Sequence, residues 1–164
     1  FNSKIVGTVL TNSGLDESLK NKGIQLYRTD VGDKNVLQLM RQTGSIIGGE
    51  NSGHIINLEY SPSGDGLMTS LLVMKIMVES GKSIDELLDG LELITQFNCN
   101  IETDLQKLSD HLITKISEEE NKKLSSGRVL IRKSGTEPVL RITVESTDKT
   151  HAIKLFESIK SQIK

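Results

Sequence analysis

Tryptophan is absent, and aromatic residues make up only 3% of the 164-residue chain, so Leu, Ile and Val have to fill the core. Cys99 is the only cysteine. An intramolecular disulfide is therefore excluded, and a reducing, cytoplasmic location is expected. Neither sign of charge dominates: 20 Lys and Arg stand against 22 Asp and Glu, a formal net charge of -2. That balance offers no electrostatic footprint for nucleic acid, which is not expected as a partner. Long apolar runs are missing as well. The most apolar stretch, Leu67 to Val78, is too short to span a bilayer and carries Lys75, so it reads as a buried helix and no membrane partner is expected. No stretch reads as a signal peptide. The chain opens on Phe1 rather than Met, as a processed or truncated piece of a longer protein would.

What is present alternates. Lys4 to Leu10 is short and β-branched, as a buried strand should be. Thr11, Asn12 and Ser13 can cap a helix over 14–22, and Gly23 ends it. Ile24 to Arg28 reads as a second strand. Asp33 is expected to cap a helix carrying Val36, Leu39 and Met40, closed by Gly44. Ser45 to Ile47 and His54 to Leu58 are strands flanking a glycine-rich turn. Asp65 caps the apolar helix, and Ser83 with Glu86 forms a capping box for another. Strand-helix alternation of this kind predicts an α/β layered domain over residues 1–92.

Residues 93–164 follow a different plan. A strand within 93–102 precedes a polar helix from Leu105 to about Leu124, with Glu118, Glu119 and Glu120 read as a solvated face. Arg128 to Arg132 and Val139 to Ser146 are strands around a sharp loop. Thr147 or Asp148 caps a last helix with Ile153, Phe156, Ile159 and Ile163 on one face. The order β-α-β-β-α predicts a small α+β domain.

Two loops carry candidate chemistry. Gly48-Gly49-Glu50-Asn51-Ser52-Gly53-His54 gathers several hydrogen-bonding side chains on one glycine-permitted turn, as vicinal sugar hydroxyls require; a polar hairpin loop is the plainer reading. Metal ligation by His54 is not expected, because the three histidines lie far apart. Arg132-Lys133-Ser134-Gly135-Thr136-Glu137-Pro138 lies between two predicted strands. Its cations, hydroxyls and backbone N–H groups suit a phosphate, with a basic hairpin turn as the alternative. Hydrogen bonds to charged groups are worth roughly 1.5–3 kcal/mol each, enough in combination for binding near the micromolar scale. Arg141 on the next strand adds a further cation or snorkels at a sheet edge. Val31-Gly32-Asp33-Lys34 combines a helix start with a lysine, which can hold an anion, although capping and a solvated surface also explain it. Gly81-Lys82-Ser83 imitates the end of a P-loop, but Ile76 occupies the position of the first glycine.

In order and spacing, VGTVLTN, VGDK, GGENSGH and RKSGTEP resemble the α-D-phosphohexomutase superfamily, and GENSGH with SGTEP is similar to its phosphoglucosamine mutase branch. The resemblance covers essentially the whole chain. It implies the family's third domain over 1–92 and its mobile, phosphate-binding fourth domain over 93–164. It implies interconversion of glucosamine 6-phosphate and glucosamine 1-phosphate, on the route to UDP-N-acetylglucosamine, through a phosphoserine and a glucose or glucosamine 1,6-bisphosphate. Glu50, Asn51, Ser52 and His54 would bind the sugar. Arg132, Ser134, Gly135, Thr136 and Arg141 would bind phosphate, and Lys34 would assist near the sugar. Lys133 replaces the usual proline and would add a charge near the phosphate, and Asn35 replaces a common tyrosine. No Ser-x-His-Asn-Pro-like loop and no Asp-x-Asp-x-Asp run occurs in the chain, so the nucleophile and the magnesium site are expected in N-terminal domains that would be its partners. The chain alone would be inactive. A homodimer is compatible with the resemblance. Phosphomannomutase or phosphoglucomutase activity is the alternative within the superfamily, and a non-catalytic sugar-phosphate module the alternative outside it.

Overall fold

The computed structural model describes residues 3–124, 127–135 and 137–163. The chain divides into two compact units, Phe1–Glu92 and Leu93–Lys164.

In the first unit β1 (Lys4–Thr8) lies between two parallel partners, β2 (Gln25–Thr29) and β3 (Ile47–Gly49), and β4 (Ile55–Asn57) closes the sheet antiparallel to β3. The connecting helices are α1 (Ser13–Asn21) and α2 (Asp33–Thr43). The register places Tyr27, Val6, Gly48 and Ile56 in one row across the sheet. Val36 and Met40 of α2 cover that row, so Val6, Val36, Met40 and Ile56 form the core, each no more than 2% exposed. Alternation sends Leu26, Ile5 and Ile47 to the opposite face, where Ile47 remains 43% exposed. Asn12 caps α1 through its side chain, and Gly44, in the left-handed region, ends α2.

Two expectations change here. Asp33 does not cap α2: Gly32 occupies that position, and the Asp33 carboxylate instead accepts the N–H of Lys34 at 2.7 Å. The apolar stretch does form a helix, α3 (Gly66–Ser80), capped by Asp65, yet none of its residues is buried. Leu67 is 73% exposed and Val78 82%. The reason lies in its pattern. Leu67, Leu71, Val73, Met74, Ile76 and Val78 surround the axis, so cover is needed on several sides, and the described residues leave all six exposed. A short helix, α4 (Ile84–Leu87), follows with the Ser83–Glu86 capping box fully formed.

The second unit is a three-stranded antiparallel sheet of order β5-β7-β6, made of β5 (Gln96–Glu102), β6 (Arg128–Lys133) and β7 (Val139–Glu145). One face packs Val129, Ile131, Leu140, Ile142 and Val144 against Ile113 and Ile116 of α5 (Asp110–Asn121) and Ala152, Leu155 and Ile159 of α6 (Lys149–Ile163). Asp148 caps α6, accepting from the N–H groups of Thr150 and His151. Helix α5 is shorter than predicted. Asp104 turns the chain by accepting the Gln106 N–H, and Ser109 then caps the helix start. The acidic run is not wholly solvated: Glu120 is fully buried, bonded to Lys123, Ser158 and Gln162. On α6, Ile153 is 50% exposed, and Ala152, Leu155 and Ile159 make the buried stripe.

Candidate functional site

In the first unit the polar loop lies at the carboxyl ends of the parallel strands, where ligand sites form in open α/β sheets. Gly48 and Gly49 belong to β3, not to the turn. Gly48 is where it is for packing: a Cβ there would come within 2.5 Å of the Met40 sulfur and 2.8 Å of Val36 Cγ1. The turn itself runs from Glu50 to Gly53. It closes with the Gly53 N–H on the Glu50 carbonyl at 3.0 Å, and Gly53 takes φ +90°.

Long-range bonds fix the side chains of this turn. Glu50 Oε1 accepts the Gly32 N–H at 2.6 Å, next to the start of α2. Its second oxygen lies 3.8 Å from His54 Nδ1, and the Glu50 side chain is only 10% exposed. Ser52 Oγ is 3.1 Å from the same histidine nitrogen. Asn51 Nδ2 donates to the Leu10 carbonyl at 2.7 Å, tying the turn to the end of β1. That segment is braced from below, because Thr8 and Thr11 exchange hydrogen bonds and Arg28 donates to both of their carbonyls and to Asp16. Glu50, Asn51, Ser52 and His54 are thus brought together with Gly32. Lys34 is exposed on the first turn of α2.

The polar loop of the second unit joins β6 to β7. Arg132 and Arg141 are cross-strand partners and point to the sheet face away from the helices, in one row with Asn100. Arg141 stands on the central strand, so a sheet-edge role is excluded. Its terminal nitrogen bonds Glu137 Oε2 at 2.7 Å, while its Nε is buried without a partner among the described residues. Ser134 is 9% exposed and donates its N–H to the Val139 carbonyl at 2.9 Å. Around Gly135 there is open space. Thr136 lies outside the described residues. Lys133 corrects an expectation: strand alternation turns it to the helical face, where its ammonium pairs with Asp110 at 2.8 Å, so its charge is committed to α5.

Sequence reasoning missed Gly32 and Glu137. No local pattern marks a backbone N–H that serves a carboxylate from a distant loop, and in the sequence Glu137 stands only as part of a motif. Among the described residues no three His, Cys, Asp or Glu side chains gather as a cation site. The magnesium that the resemblance implies does not fit these described residues. Among the described residues, no helix is long and apolar enough to cross a membrane.

A mostly parallel sheet presenting a polar turn is thus followed along the chain by a small antiparallel α+β unit with two cross-strand arginines. The chain belongs to the phosphoglucomutase/phosphomannomutase family: its α/β/α domain III matches residues 1–94 and its C-terminal domain matches residues 75–162. It is 42% identical over 163 residues to phosphoglucosamine mutase 1 of Shewanella amazonensis, covering 98% of this chain and 37% of that protein. A phosphoglucosamine mutase of Thermotoga sp. strain RQ2 is 45% identical over 156 residues, covering 94% of this chain and 36% of its own length. The chain thus spans about a third of the length of these curated relatives. The solved N-acetylphosphoglucosamine mutase of Aspergillus fumigatus shares the fold with a TM-score of 0.81 at 18% identity, over 98% of this chain and 38% of that one. The same enzyme has been solved in complex with GlcNAc-6P and magnesium; that structure matches with a TM-score of 0.75 at 18% identity, over 98% of this chain and 41% of its own.

Proposed function

We propose that this chain supplies the sugar- and phosphate-binding half of a phosphoglucosamine mutase, the enzyme that interconverts glucosamine 6-phosphate and glucosamine 1-phosphate. The observation that carries the reading is the fixed carboxylate of Glu50. One oxygen is committed to the Gly32 N–H, which leaves the other to accept from a sugar hydroxyl without reorganisation. Ser52 and His54 stand beside it and can complete the recognition of vicinal hydroxyls. Asn51 holds the turn in place through Leu10 and adds its carbonyl to the polar rim. Lys34 can place a positive charge near the sugar.

Residues 1–92 take the sugar in this reading, and residues 93–164 take a phosphate. Arg132 and Arg141 fork onto phosphate oxygens, and the Ser134 hydroxyl and the backbone N–H groups around Gly135 and Thr136 complete the shell. In the full mutase a phosphoserine passes its phosphoryl group to the sugar hydroxyl. The resulting 1,6-bisphosphate turns over and returns its other phosphoryl group to the serine; magnesium, held outside this chain, would supply charge neutralisation. The residues described here orient the sugar and hold the phosphate that is not reacting. The aminosugar preference rests on the names of relatives at 42% and 45% identity. A cytoplasmic enzyme acting on soluble sugar phosphates fits the reading.

Calorimetry tests the clamp. Glucosamine 6-phosphate should bind the chain, and Arg132→Ala should weaken binding by about 2 kcal/mol, roughly thirtyfold, through lost charge-assisted hydrogen bonds. Unchanged affinity would remove Arg132 from the phosphate site. A mutase assay tests the division of labour: the chain alone should show no turnover, and measurable turnover would sink the reading. A panel of glucosamine, glucose and mannose phosphates on the full-length enzyme tests the substrate.

A further inference from the structure

The loop between β6 and β7 already contains an anion. Arg132 and Arg141 are directly opposite on adjacent strands, and like charges in that position repel. Glu137 relieves the repulsion by bonding the Arg141 terminal nitrogen at 2.7 Å. The pair is open to solvent, with side-chain exposures of 36% for Arg141 and 56% for Glu137, so an incoming dianion can reach it. Among the described residues Glu137 meets Arg141 through one bond, whereas phosphate can accept two parallel bonds from a guanidinium.

We propose that Glu137 is a resident competitor for phosphate on Arg141, a reading that rests on the phosphate-clamp assignment above. With no phosphate bound, the carboxylate holds the guanidinium next to Arg132. When phosphate arrives it takes the same nitrogen, and Glu137 leaves the bond but stays close enough to repel the new anion. The loop therefore grips phosphate less tightly than its two arginines allow, which lets a phosphosugar leave. Glu137 is a tuning residue for affinity and residence time, not a ligand of the phosphate.

Inorganic phosphate is the probe, titrated into the isotopically labelled chain at constant ionic strength, with the Gly135 amide signal reporting on the loop. Glu137→Gln keeps a side chain that can still accept from Arg141 but removes the charge. It should tighten phosphate binding about five- to tenfold and slow dissociation by a similar factor. Glu137→Asp keeps the charge and should stay within about twofold of the parent. Weaker binding by Glu137→Gln would show that the carboxylate props Arg141 for phosphate, and unchanged binding would show that it is inert; either overturns the proposal. Arg132→Ala separates the two levels of inference. If it weakens phosphate binding and Glu137→Gln does not tighten it, only the competitor role fails. If Arg132→Ala has no effect, the clamp assignment fails and the competitor role falls with it. A structural lesion cannot imitate the expected result, because damage to the loop loosens binding.

Discussion

Glu50 and Gly32 lie eighteen residues apart, and the carboxylate of the first accepts the backbone N–H of the second at 2.6 Å. This bond joins the polar turn to the start of α2, whose capping residue Gly32 has no side chain to offer. Glu50 therefore also serves as the anion at a helix N-terminus. Glu50→Ala should remove a charge-assisted hydrogen bond from a side chain that is only 10% exposed, lowering the stability of the chain by about 1–2 kcal/mol. Glu50→Gln keeps an acceptor and should lose less than half of that. Denaturant unfolding of the two variants checks the order. Equal losses would mean that the negative charge, rather than the acceptor, is what matters.

Glu120 makes unit 2 sensitive to acid. Its burial alone would raise the carboxyl pKa, but hydrogen bonds from Lys123, Ser158 and Gln162 and the charge of Lys123 outweigh burial and hold it below the ordinary glutamate value. A carboxyl whose pKa is depressed on folding contributes stability above its unfolded pKa, about 4.3, and that contribution fades as pH falls through the folded value. The second unit should therefore lose stability progressively on acidification below about pH 4.5. Glu120→Gln should be less stable at pH 7 by about 2 kcal/mol and should show a shallower loss on acidification. Thermal melts of both proteins between pH 3 and 7 measure the two slopes. Parallel curves would assign the acid sensitivity to other carboxylates.

Local physics made much of the fold legible. The strand β1, the left-handed Gly44, the Asp65 cap and the Ser83–Glu86 box all depend on residues within a few positions of one another. Strand alternation also explains why Arg132 and Arg141 share a face while Lys133 turns to Asp110, although sequence proximity alone grouped all three. Legibility failed where the decisive partner is remote. Glu120 is buried by Ser158 and Gln162, some 40 positions away, so a run of three glutamates looked like a solvated face. Gly32 capped α2 in place of Asp33 because its N–H had a distant acceptor in Glu50. Hydropathy read α3 as buried, since it reports the need for cover and not whether cover is present.

Helix α3 accordingly yields a prediction of opposite sense to that of a core helix. Val78 is 82% exposed and Leu67 is 73% exposed. Replacing either by Lys should change the stability of this chain by less than about 0.5 kcal/mol, as for an ordinary surface position. The same changes shrink an exposed apolar patch and should lower concentration-dependent association. Unfolding curves and light scattering across a concentration series read the two effects. A loss of 2 kcal/mol or more would mean that these side chains are packed in solution.

The glycines of the polar loop separate by cause. Gly53 has φ +90° with nothing within 4 Å of a would-be Cβ, so Gly53→Ala meets only a backbone penalty of about 1–2 kcal/mol. Gly48 lies in β3 under α2, and there a Cβ would press on the Met40 sulfur at 2.5 Å and on Val36 Cγ1 at 2.8 Å. Met40 can give by changing rotamer, but Val36 is stiff and fully buried, so Gly48→Ala should cost roughly 1–3 kcal/mol by overpacking. Met40→Ala made together with Gly48→Ala distinguishes the two origins. It opens room for the new methyl, so the double variant should lose less than the sum of the single changes. Met40→Ala with Gly53→Ala should be additive, because a conformational penalty in the turn has no packing partner to relieve it. Equal coupling in both pairs would show that the two glycines are kept for the same reason.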